Sequence, residues 1–203
     1  SLRRLKTDHL DLLQFHEIIR EDDPEQIFGA DAFDVAMRAR EQGKIRYLGF
    51  TGHKSPLIHK KMLETALAHG WTPDTVQMPL NVMDAHFDSF ERRVLPMLIE
   101  HQIGVLGMKP MGDPFILDSG AVTAPECLRY TMSLPTSVTI TGIDSLPILE
   151  QALNVVRDFT PLNPAERNAL LARTAQAAHD GAFEKYKTSH HFDGTIRNPQ
   201  WLG

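Results

Sequence analysis

Strand-length apolar runs alternate with stretches of helical periodicity along most of this sequence, and the alternation constrains the fold more than any other feature. The five apolar runs cover residues 10–15, 45–51, 75–80, 103–108 and 137–143. Nearly continuous apolar strands separated by helices are typical of parallel strands that are buried on both faces. The sequence therefore predicts an α/β fold built from five consecutive strand–helix units.

Helical spacing of apolar residues follows each predicted strand, over residues 31–42, 55–69, 89–101, 123–132 and 145–156. Gly70 is placed to end the second helix, and Thr123 with Glu126 matches a capping box at the start of the fourth. A further helix is expected from Asn163 to about residue 178. The tail, residues 185–203, has few periodic apolar residues. We expect it to be an extended arm that lies on the surface or over a site.

Two architectures fit this alternation: an open doubly wound sheet, or part of a (β/α)8 barrel. A sheet of the Rossmann type is expected to carry G-x-G-x-x-G after its first strand, and the sequence contains no such segment. The barrel is therefore favoured, although a complete barrel needs eight strands and about 250 residues. Residues 1–6 read as the end of a helix, and no linker divides the chain. We expect a single domain over residues 1–203.

Composition excludes several classes of partner. The net charge of -5 and the absence of a basic block argue against nucleic acid. No apolar run approaches the roughly 20 residues that span a bilayer, and the amino terminus resembles no signal peptide. The single cysteine, Cys127, cannot form an internal disulfide and is expected in the core. These features predict a cytoplasmic protein without a membrane partner.

Several segments resemble one enzyme family. The segment SLRRLKTDHLDLLQFH, residues 1–16, is similar to the aldo-keto reductase signature in which a helix end and a Leu-Asp-Leu strand precede the catalytic histidine. The segments GKIRYLGFTGH, DTVQMPLNVMD, GVLGMKPMGDP and SVTITGIDSLPILEQAL resemble the family's fifth to eighth strands. The resemblance covers residues 1 to about 160, and the tail resembles the carboxyl-terminal arm of a bacterial branch of that family.

The resemblance implies a fold, a reaction and a cofactor. Residues 1–160 would form strands four to eight of a (β/α)8 TIM barrel with their helices, and residues 161–203 a carboxyl-terminal helix and extended tail. The cofactor would be NADP or NAD, bound at the carboxyl ends of the strands, and the substrate a small carbonyl compound. The aligned part starts near strand four, so roughly the first hundred residues of such a protein are expected upstream.

The family reduces carbonyls with an Asp, a Tyr, a Lys and a His. His16 corresponds to the histidine, which orients the carbonyl; the alternative is a structural histidine bonded to backbone at a strand end. The other three would lie upstream of Ser1, and the tyrosine, which acts as the acid, has no counterpart here. Tyr47 is expected to face the core or the helix layer, Tyr130 lies in a predicted helix and Tyr186 in the tail.

Cofactor positions carry over from the family unevenly. Thr51 and Gly52 stand where the family has a Ser-Asn pair for the carboxamide. Gln77 matches a glutamine with the same role, although an amide bonded inside the barrel is an equal alternative. Met108 stands where many members stack a tyrosine on the nicotinamide, and a thioether can pack on that ring.

Two loops would hold the rest of a dinucleotide. The first follows the fourth strand, where a lysine and a glycine-bearing turn suit a pyrophosphate, unless the lysine is a solvated loop cation. It consists of Lys109, Pro110, Met111 and Gly112. The second begins the last helix of the barrel units and contains Gly142, Asp144 and Ser145. The place of the arginine that binds a 2′-phosphate falls near Ile148, and Asp144 would repel that phosphate, which favours NADH or dual use.

Two hypotheses follow for function. The first is an NAD(P)H-dependent oxidoreductase that reduces aldehydes or ketones to alcohols, with the catalytic Asp, Tyr and Lys in an amino-terminal part. The second is a catalytically silent half-barrel that acts as a binding or assembly module. Five strands of a barrel expose two edges, so self-association is expected. The histidines lack the spacing of a zinc helix, and no metal site is expected.

Overall fold

The computed structural model describes residues 2–202, with side chains as far as residue 200. Five parallel strands form one sheet whose spatial order is the sequence order. They are β1 (Leu10–Phe15), β2 (Ile45–Thr51), β3 (Thr75–Pro79), β4 (Gly104–Met108) and β5 (Val138–Thr139). A doubly wound sheet reverses its strand order at a switch point, whereas the strands of a barrel follow one another in sequence. The topology is therefore that of a barrel segment.

Helices connect the strands and complete the carboxyl-terminal part. They are α1 (Leu2–Leu5), α2 (Asp23–Gly29), α3 (Ala32–Glu41), α4 (Pro56–Ala68), α5 (Phe90–Arg93), α6 (Leu95–Glu100), α7 (Phe115–Asp118), α8 (Ala124–Ser133), α9 (Leu146–Arg157), α10 (Pro164–Ala178), α11 (Lys185–Thr188) and α12 (Gly194–Arg197), followed by a 3-10 turn, Pro199–Leu202. The helix predicted over 89–101 is divided between α5 and α6. Pro96 explains the break. In a continuous helix its ring would clash with the carbonyl of Arg92, and proline has no N–H to donate to that carbonyl. Among residues 2–202, no helix combines the length and the apolar character needed to cross a bilayer.

The two faces of the sheet have different surroundings. Side chains alternate along a strand, and on one face they pack with α2 to α6 in the main core; these include Leu48, Phe50, Val76, Met78 and Val105. On the other face Tyr47 is 54% exposed and Val138 is 50% exposed. The expectation that Tyr47 faces the core or the helix layer is wrong, because its neighbours Leu48 and Phe50 alternate with it. Helices α2 to α6 therefore cover one face of the sheet. The other face, which would line the interior of a complete barrel, is open.

The last strand is shorter than predicted. Of residues 137–143 only Val138–Thr139 form β5, which pairs with β4 alone in the described part of the chain. Helix α9, which follows, has no buried residue. Cavities of about 580 and 290 Å³ separate α9 from α8 and from β5. The apolar side of α9 includes Leu146 and Val156, which are exposed.

We expect the isolated chain to self-associate, because the open face of the sheet, the β5 edge and α9 all expose apolar groups. Light scattering is expected to give a mass above the 22.9 kDa of one chain, rising with concentration. Val156→Asp on α9 should shift the population toward the monomer. Val35→Asp, at an equally exposed position on α3, is the matched control and should not. A stable monomer at all concentrations would contradict this prediction.

The tail is wound into helical turns and does not form the extended arm predicted from its composition. Helices α11 and α12 and the 3-10 turn occupy most of residues 185–202. The tail contacts the residues that follow β1 and β2, at the carboxyl ends of these strands. Glu17 explains the turn at α12: its carboxylate accepts the N–H groups of Gly194 and Thr195 at 2.5 and 2.6 Å, which no residue within the helix could satisfy.

Candidate functional site

The carboxyl ends of the strands lie along one edge of the sheet, and most of the predicted site residues lie there. His16 directly follows β1, Thr51 ends β2 and Met108 ends β4. Gln77 of β3 is level with Thr51 in the register of the sheet. This edge is where barrel enzymes carry their catalytic groups.

His16 is exposed, and its ring makes no hydrogen bond to any residue between 2 and 200. The backbone contact that a purely structural histidine would make at this strand end is therefore absent. Both ring nitrogens are available to a bound molecule, and either can donate or accept according to the tautomer.

A row of polar side chains crosses three strands on the open face. Gln14 Nε2 of β1 donates to Gln77 Oε1 of β3 over 3.0 Å. Gln77 Nε2 donates to Met108 Sδ of β4 over 3.2 Å. On β2, the strand between β1 and β3, Gly49 is level with Gln14 and Thr51 is level with Gln77. Gln14 Oε1 is buried without a partner in the described structure, and an unpaired buried acceptor is costly.

Gln14 is a site residue that the sequence reasoning missed. The signal was present, because a glutamine interrupts an otherwise apolar run in which the adjacent residues pack against the core. The structure brings Gln77 and Met108 together as a contacting pair. The Gln77 amide is hydrogen-bonded to both Gln14 and Met108.

Gly52 occupies a position without room for a side chain. A Cβ built there would lie 2.3 Å from the Ile18 carbonyl oxygen and 2.7 Å from the His59 ring. His59 is fully buried, and burial lowers its pKa to about 4, so it packs as a neutral ring against Phe50 and Phe90. The family's asparagine could not fit this backbone, and Gly52 can contribute to a site only through its main chain.

Gly52→Asn, which restores the family residue, is expected to destabilise the chain by about 2–4 kcal/mol. The reason is overpacking against backbone that cannot move aside. Urea denaturation measures the free energy of unfolding. The matched control is Gly29→Ala, because a Cβ at Gly29 meets nothing within 4 Å. A stable Gly52→Asn variant would mean that the segment around Ile18 can shift.

The turn after β4 presents a lysine. Lys109 has a left-handed backbone with a φ of 55°, and its carbonyl accepts the N–H of Gly112 at 3.0 Å. Pro110 is buried and Met111 is half-buried. Burial lowers the pKa of Lys109, and within the described chain no carboxylate lies within salt-bridge distance of its ammonium. Lys109 is thus not the fully solvated loop cation of the alternative interpretation.

The second predicted cofactor loop, which precedes α9, is exposed. Gly142, Asp144 and Ser145 are exposed, and no side-chain hydrogen bond joins them to the other predicted site residues in the part of the chain described. Ser145 precedes α9 without capping it through its side chain, and Pro147 removes one first-turn N–H. Because the side-chain cap is absent, the first-turn N–H groups other than at Pro147 remain available to a bound molecule in the described chain.

None of the three tyrosines is placed as an acid beside His16. The Tyr130 hydroxyl donates to Glu91 at 2.7 Å, and burial raises its pKa. The Tyr186 hydroxyl donates to Glu184 at 2.5 Å, and burial raises its pKa well above the usual value. Tyr47 pairs with Leu12 in the register, four residues before His16. At roughly 3.3 Å per residue it lies on the order of 13 Å below the level of His16.

Charged groups after β1 and β2 fix the tail over the strand ends. Asp193 is fully buried and accepts from Lys54 Nζ at 2.9 Å and from His190 Nδ1 at 2.7 Å; His53 Nε2 lies 3.3 Å away. Burial lowers the pKa of His53 even beside that carboxylate. Burial also works to raise the pKa of Glu17, but the hydrogen bonds from Thr195 and Gly194 hold it below its usual value.

A second set of buried charges holds the tail to the segment after β3. Lys187 is 1% exposed, and its ammonium lies 2.7 Å from Asp84 and 2.9 Å from Glu184. It also donates to the Phe87 carbonyl. The second oxygen of Glu184 is buried without a partner in the described structure, and burial raises the pKa of Glu184 to about 7.

The remaining groups considered for chemistry are the single cysteine and the possible metal ligands. Cys127 is buried, and burial raises its pKa to about 12, so the thiol is inert. Within residues 2–200, no cluster of three or more histidine, cysteine and acidic side chains is arranged to hold a metal ion.

Comparison with known proteins gives a consistent picture. The model of the aldo/keto reductase family matches residues 1–126, which is more than half of the chain. An uncharacterized oxidoreductase of Bacillus subtilis, YqkF, is 25% identical over 178 residues, or 88% of this chain, and the chain spans about half (52%) of that relative.

Solved structures agree at the level of the fold. A crystal structure of an aldo/keto reductase from Brucella melitensis superposes with a TM-score of 0.62 at 20% identity, covering 85% of this chain and 64% of that one. A thermostable aldo-keto reductase, Tm1743, solved with the inhibitor epalrestat, gives 0.60 at 20% identity, covering 85% and 62%. With its sequence-ordered parallel strands and its family match, the chain belongs to the aldo/keto reductase family and forms part of that family's barrel.

Proposed function

We propose that the chain supplies strands four to eight of an oxidoreductase that uses NADPH or NADH to reduce aldehydes or ketones to alcohols. The observation that carries this proposal is the hydrogen-bonded row of Gln14, Gln77 and Met108 on the open face of a family member's barrel. Thr51 is level with Gln77, and His16 follows Gln14 by two residues on β1 and its end. One domain over residues 1–203 and a cytoplasmic location belong to the same proposal.

The row of side chains fits a nicotinamide ring. Gln14 Oε1 is a buried acceptor without a hydrogen-bond donor in the described structure. The N–H of a nicotinamide carboxamide could donate to it. The Thr51 hydroxyl can accept or donate beside Gln77, and the Met108 thioether can pack on the ring face. The bound cofactor would supply the hydride. The side chains of this chain would hold the carboxamide and thereby fix which face of the ring meets the substrate.

The turn after β4 fits the diphosphate. Lys109 offers an ammonium without a carboxylate partner in the described chain, and the turn formed with Pro110, Met111 and Gly112 offers backbone N–H groups. Gly142, Asp144 and Ser145 would lie along the adenosine half. Asp144 suits a ribose hydroxyl better than a 2′-phosphate, which favours NADH or dual use.

His16 is proposed to orient the carbonyl. Its free ring can donate to the carbonyl oxygen at the strand end and so polarise the bond that receives the hydride. The proton for the resulting alkoxide would come from the family's tyrosine, on a segment that completes the barrel.

A second candidate function rests on the position of the tyrosines. Tyr130 and Tyr186 are buried with raised pKa values, and Tyr47 lies well below His16. The chain alone therefore lacks the family's proton donor. Such a chain would act as a catalytically silent binding or assembly module unless a further segment supplies one.

We expect the isolated chain to bind NADPH and NADH weakly, with Kd values above about 1 μM, because only part of the groove is preorganised. Calorimetry measures both. Lys109→Met should weaken binding further, whereas Lys60→Met, which removes the same charge from an exposed position on α4, should not. Submicromolar binding that is insensitive to Lys109 would contradict the proposed site.

A further inference from the structure

Two aromatic rings of the tail lie against Lys109. Its ammonium is 4.7 Å from the centroid of the Phe192 ring and 5.4 Å from that of the Tyr186 ring. We call Tyr186 and Phe192 the aromatic clamp. Both distances are within the range at which a ring face attracts a cation, worth about 0.5–2 kcal/mol.

Asn81 ties the backbone of Lys109 to the same clamp. Its side-chain Nδ2 donates to the Lys109 carbonyl at 3.1 Å and to the Tyr186 hydroxyl at 2.8 Å. Its Oδ1 accepts the N–H groups of Met83 and Asp84 at 2.9 Å. Asn81 is fully buried, so one rigid amide fixes the position of the turn relative to the tail.

Buried charges hold each ring of the clamp in place. Phe192 is followed in sequence by Asp193, which is bonded to Lys54 and His190, and then by Gly194, which is bonded to Glu17. Tyr186 stands between Glu184 and Lys187, which pair with each other. Buried ionic contacts therefore hold the backbone that carries each ring.

Ring faces hold a cation without neutralising it. A carboxylate partner would cancel the charge of Lys109 and compete with an incoming anion, whereas an aromatic face attracts the ammonium and leaves its formal charge intact. The carboxylate whose charge acts on Lys109 is that of Asp113, which lies beyond salt-bridge distance in the described chain. The carboxylates that hold the tail, Asp193 and Glu17, are already occupied by Lys54, His190 and tail N–H groups.

We infer that Tyr186 and Phe192 are positioning residues that fix the Lys109 ammonium, uncompensated by a carboxylate, for an anionic ligand at the strand ends. The inference rests on the proposed function in taking that anion to be the diphosphate of the dinucleotide. It assigns to the tail a role in cofactor binding that acts through Lys109.

The test is a double-mutant cycle on the full chain, with NADPH as the ligand. Phe192→Leu keeps an apolar side chain for packing but removes the ring face, and we expect it to weaken binding about three- to tenfold. In the Lys109→Met background the same change should cost less than about twofold, because the group through which it acts is gone. Ile196→Ala, a truncation elsewhere in the tail, is the matched control. Equal losses from Phe192→Leu in both backgrounds would overturn the positioning role.

A second readout needs no cofactor. Lysines labelled by reductive methylation with 13C give one methyl signal each, and Lys109→Arg identifies its signal. We expect that signal to be ring-current shifted in the wild-type chain and to return toward the value of exposed lysines in Phe192→Leu. An unshifted Lys109 signal would overturn the clamp.

The two readouts separate the inference from the proposed function. A ring-shifted Lys109 signal that responds neither to NADPH nor to inorganic diphosphate would overturn the anion site at Lys109, and with it the role inferred for the clamp. NADPH binding that depends on Lys109 but is unaffected by Phe192→Leu would overturn the positioning role and leave the proposed function standing.

Discussion

The isolated chain is expected to reduce a generic aldehyde, such as a nitrobenzaldehyde, no faster than the background rate with NADPH or NADH. The reason is that no tyrosine of the described structure is placed to protonate an alkoxide beside His16. General acid catalysis is typically worth about 10²–10⁴-fold, and incomplete cofactor positioning should lower the rate further. The measurement is the loss of nicotinamide absorbance.

Joining the chain to a segment that completes the barrel with the family's Asp, Tyr and Lys should restore turnover. In that protein His16→Ala is expected to lower kcat about 10²-fold or more, because the carbonyl loses the group that orients and polarises it. His101→Ala, at an exposed position after α6, is the matched control. Robust activity of residues 1–203 alone that is abolished by His16→Ala or Tyr47→Phe would contradict the proposed division of roles.

Lys187→Met is expected to lower the free energy of unfolding by about 3–5 kcal/mol. The change leaves Asp84 and Glu184, both fully buried, without their shared cation, and an uncompensated buried charge is strongly destabilising. Urea denaturation near pH 7.5 measures the effect. Lys185→Met, two residues earlier on an exposed side chain whose ammonium lies over the Phe115 ring, should cost far less. Similar losses in both variants would mean that Lys187 is not the anchor of the tail.

The same cluster predicts a dependence of stability on pH. Burial raises the pKa of Glu184 to about 7 from its ordinary value of 4.5. Between these two values the folded chain binds more protons than the unfolded chain, so stability should fall as the pH rises from about 4.5 to 7. Glu184→Gln should flatten this part of the profile and exceed the wild type in stability above pH 7. A wild-type profile that rises over the same range would contradict the assignment.

Periodicity in the sequence was sufficient for the strands and long helices that make local contacts. β1 and β2 have their predicted bounds, and the capping box of Thr123 and Glu126 begins α8 as expected. The length of a strand was predicted least well at the edge of the sheet. The run 137–143 is apolar enough for a long strand, yet β5 is two residues long, because strand length depends on pairing with a neighbour and β5 has only β4.

Some features of the candidate site could likewise be predicted from the sequence, and others only from the structure. The resemblance to the family gave His16, Thr51, Gln77, Met108 and Lys109 as candidates. The structure has His16, Thr51, Met108 and Lys109 at or just after the ends of strands, and Gln77 within β3, level with Thr51. The resemblance also gave Gly52, but the reason for the glycine, a carbonyl 2.3 Å from any Cβ, is visible only in three dimensions.

What the sequence alone determined is the set of strand–helix units, their order and the edge at which polar side chains collect, because these depend on local periodicity. Only the tertiary structure decided what the tail does. Glu17 meets Gly194 across 177 positions of sequence, and Lys187 meets Asp84 across 103. Along the chain Glu17, Asp84 and Lys187 read as ordinary surface charges. Burial beside a distant partner, which is a pair of backbone N–H groups for Glu17 and an opposite charge for Asp84 and Lys187, makes each an anchor, and no local pattern encodes the identity of that partner.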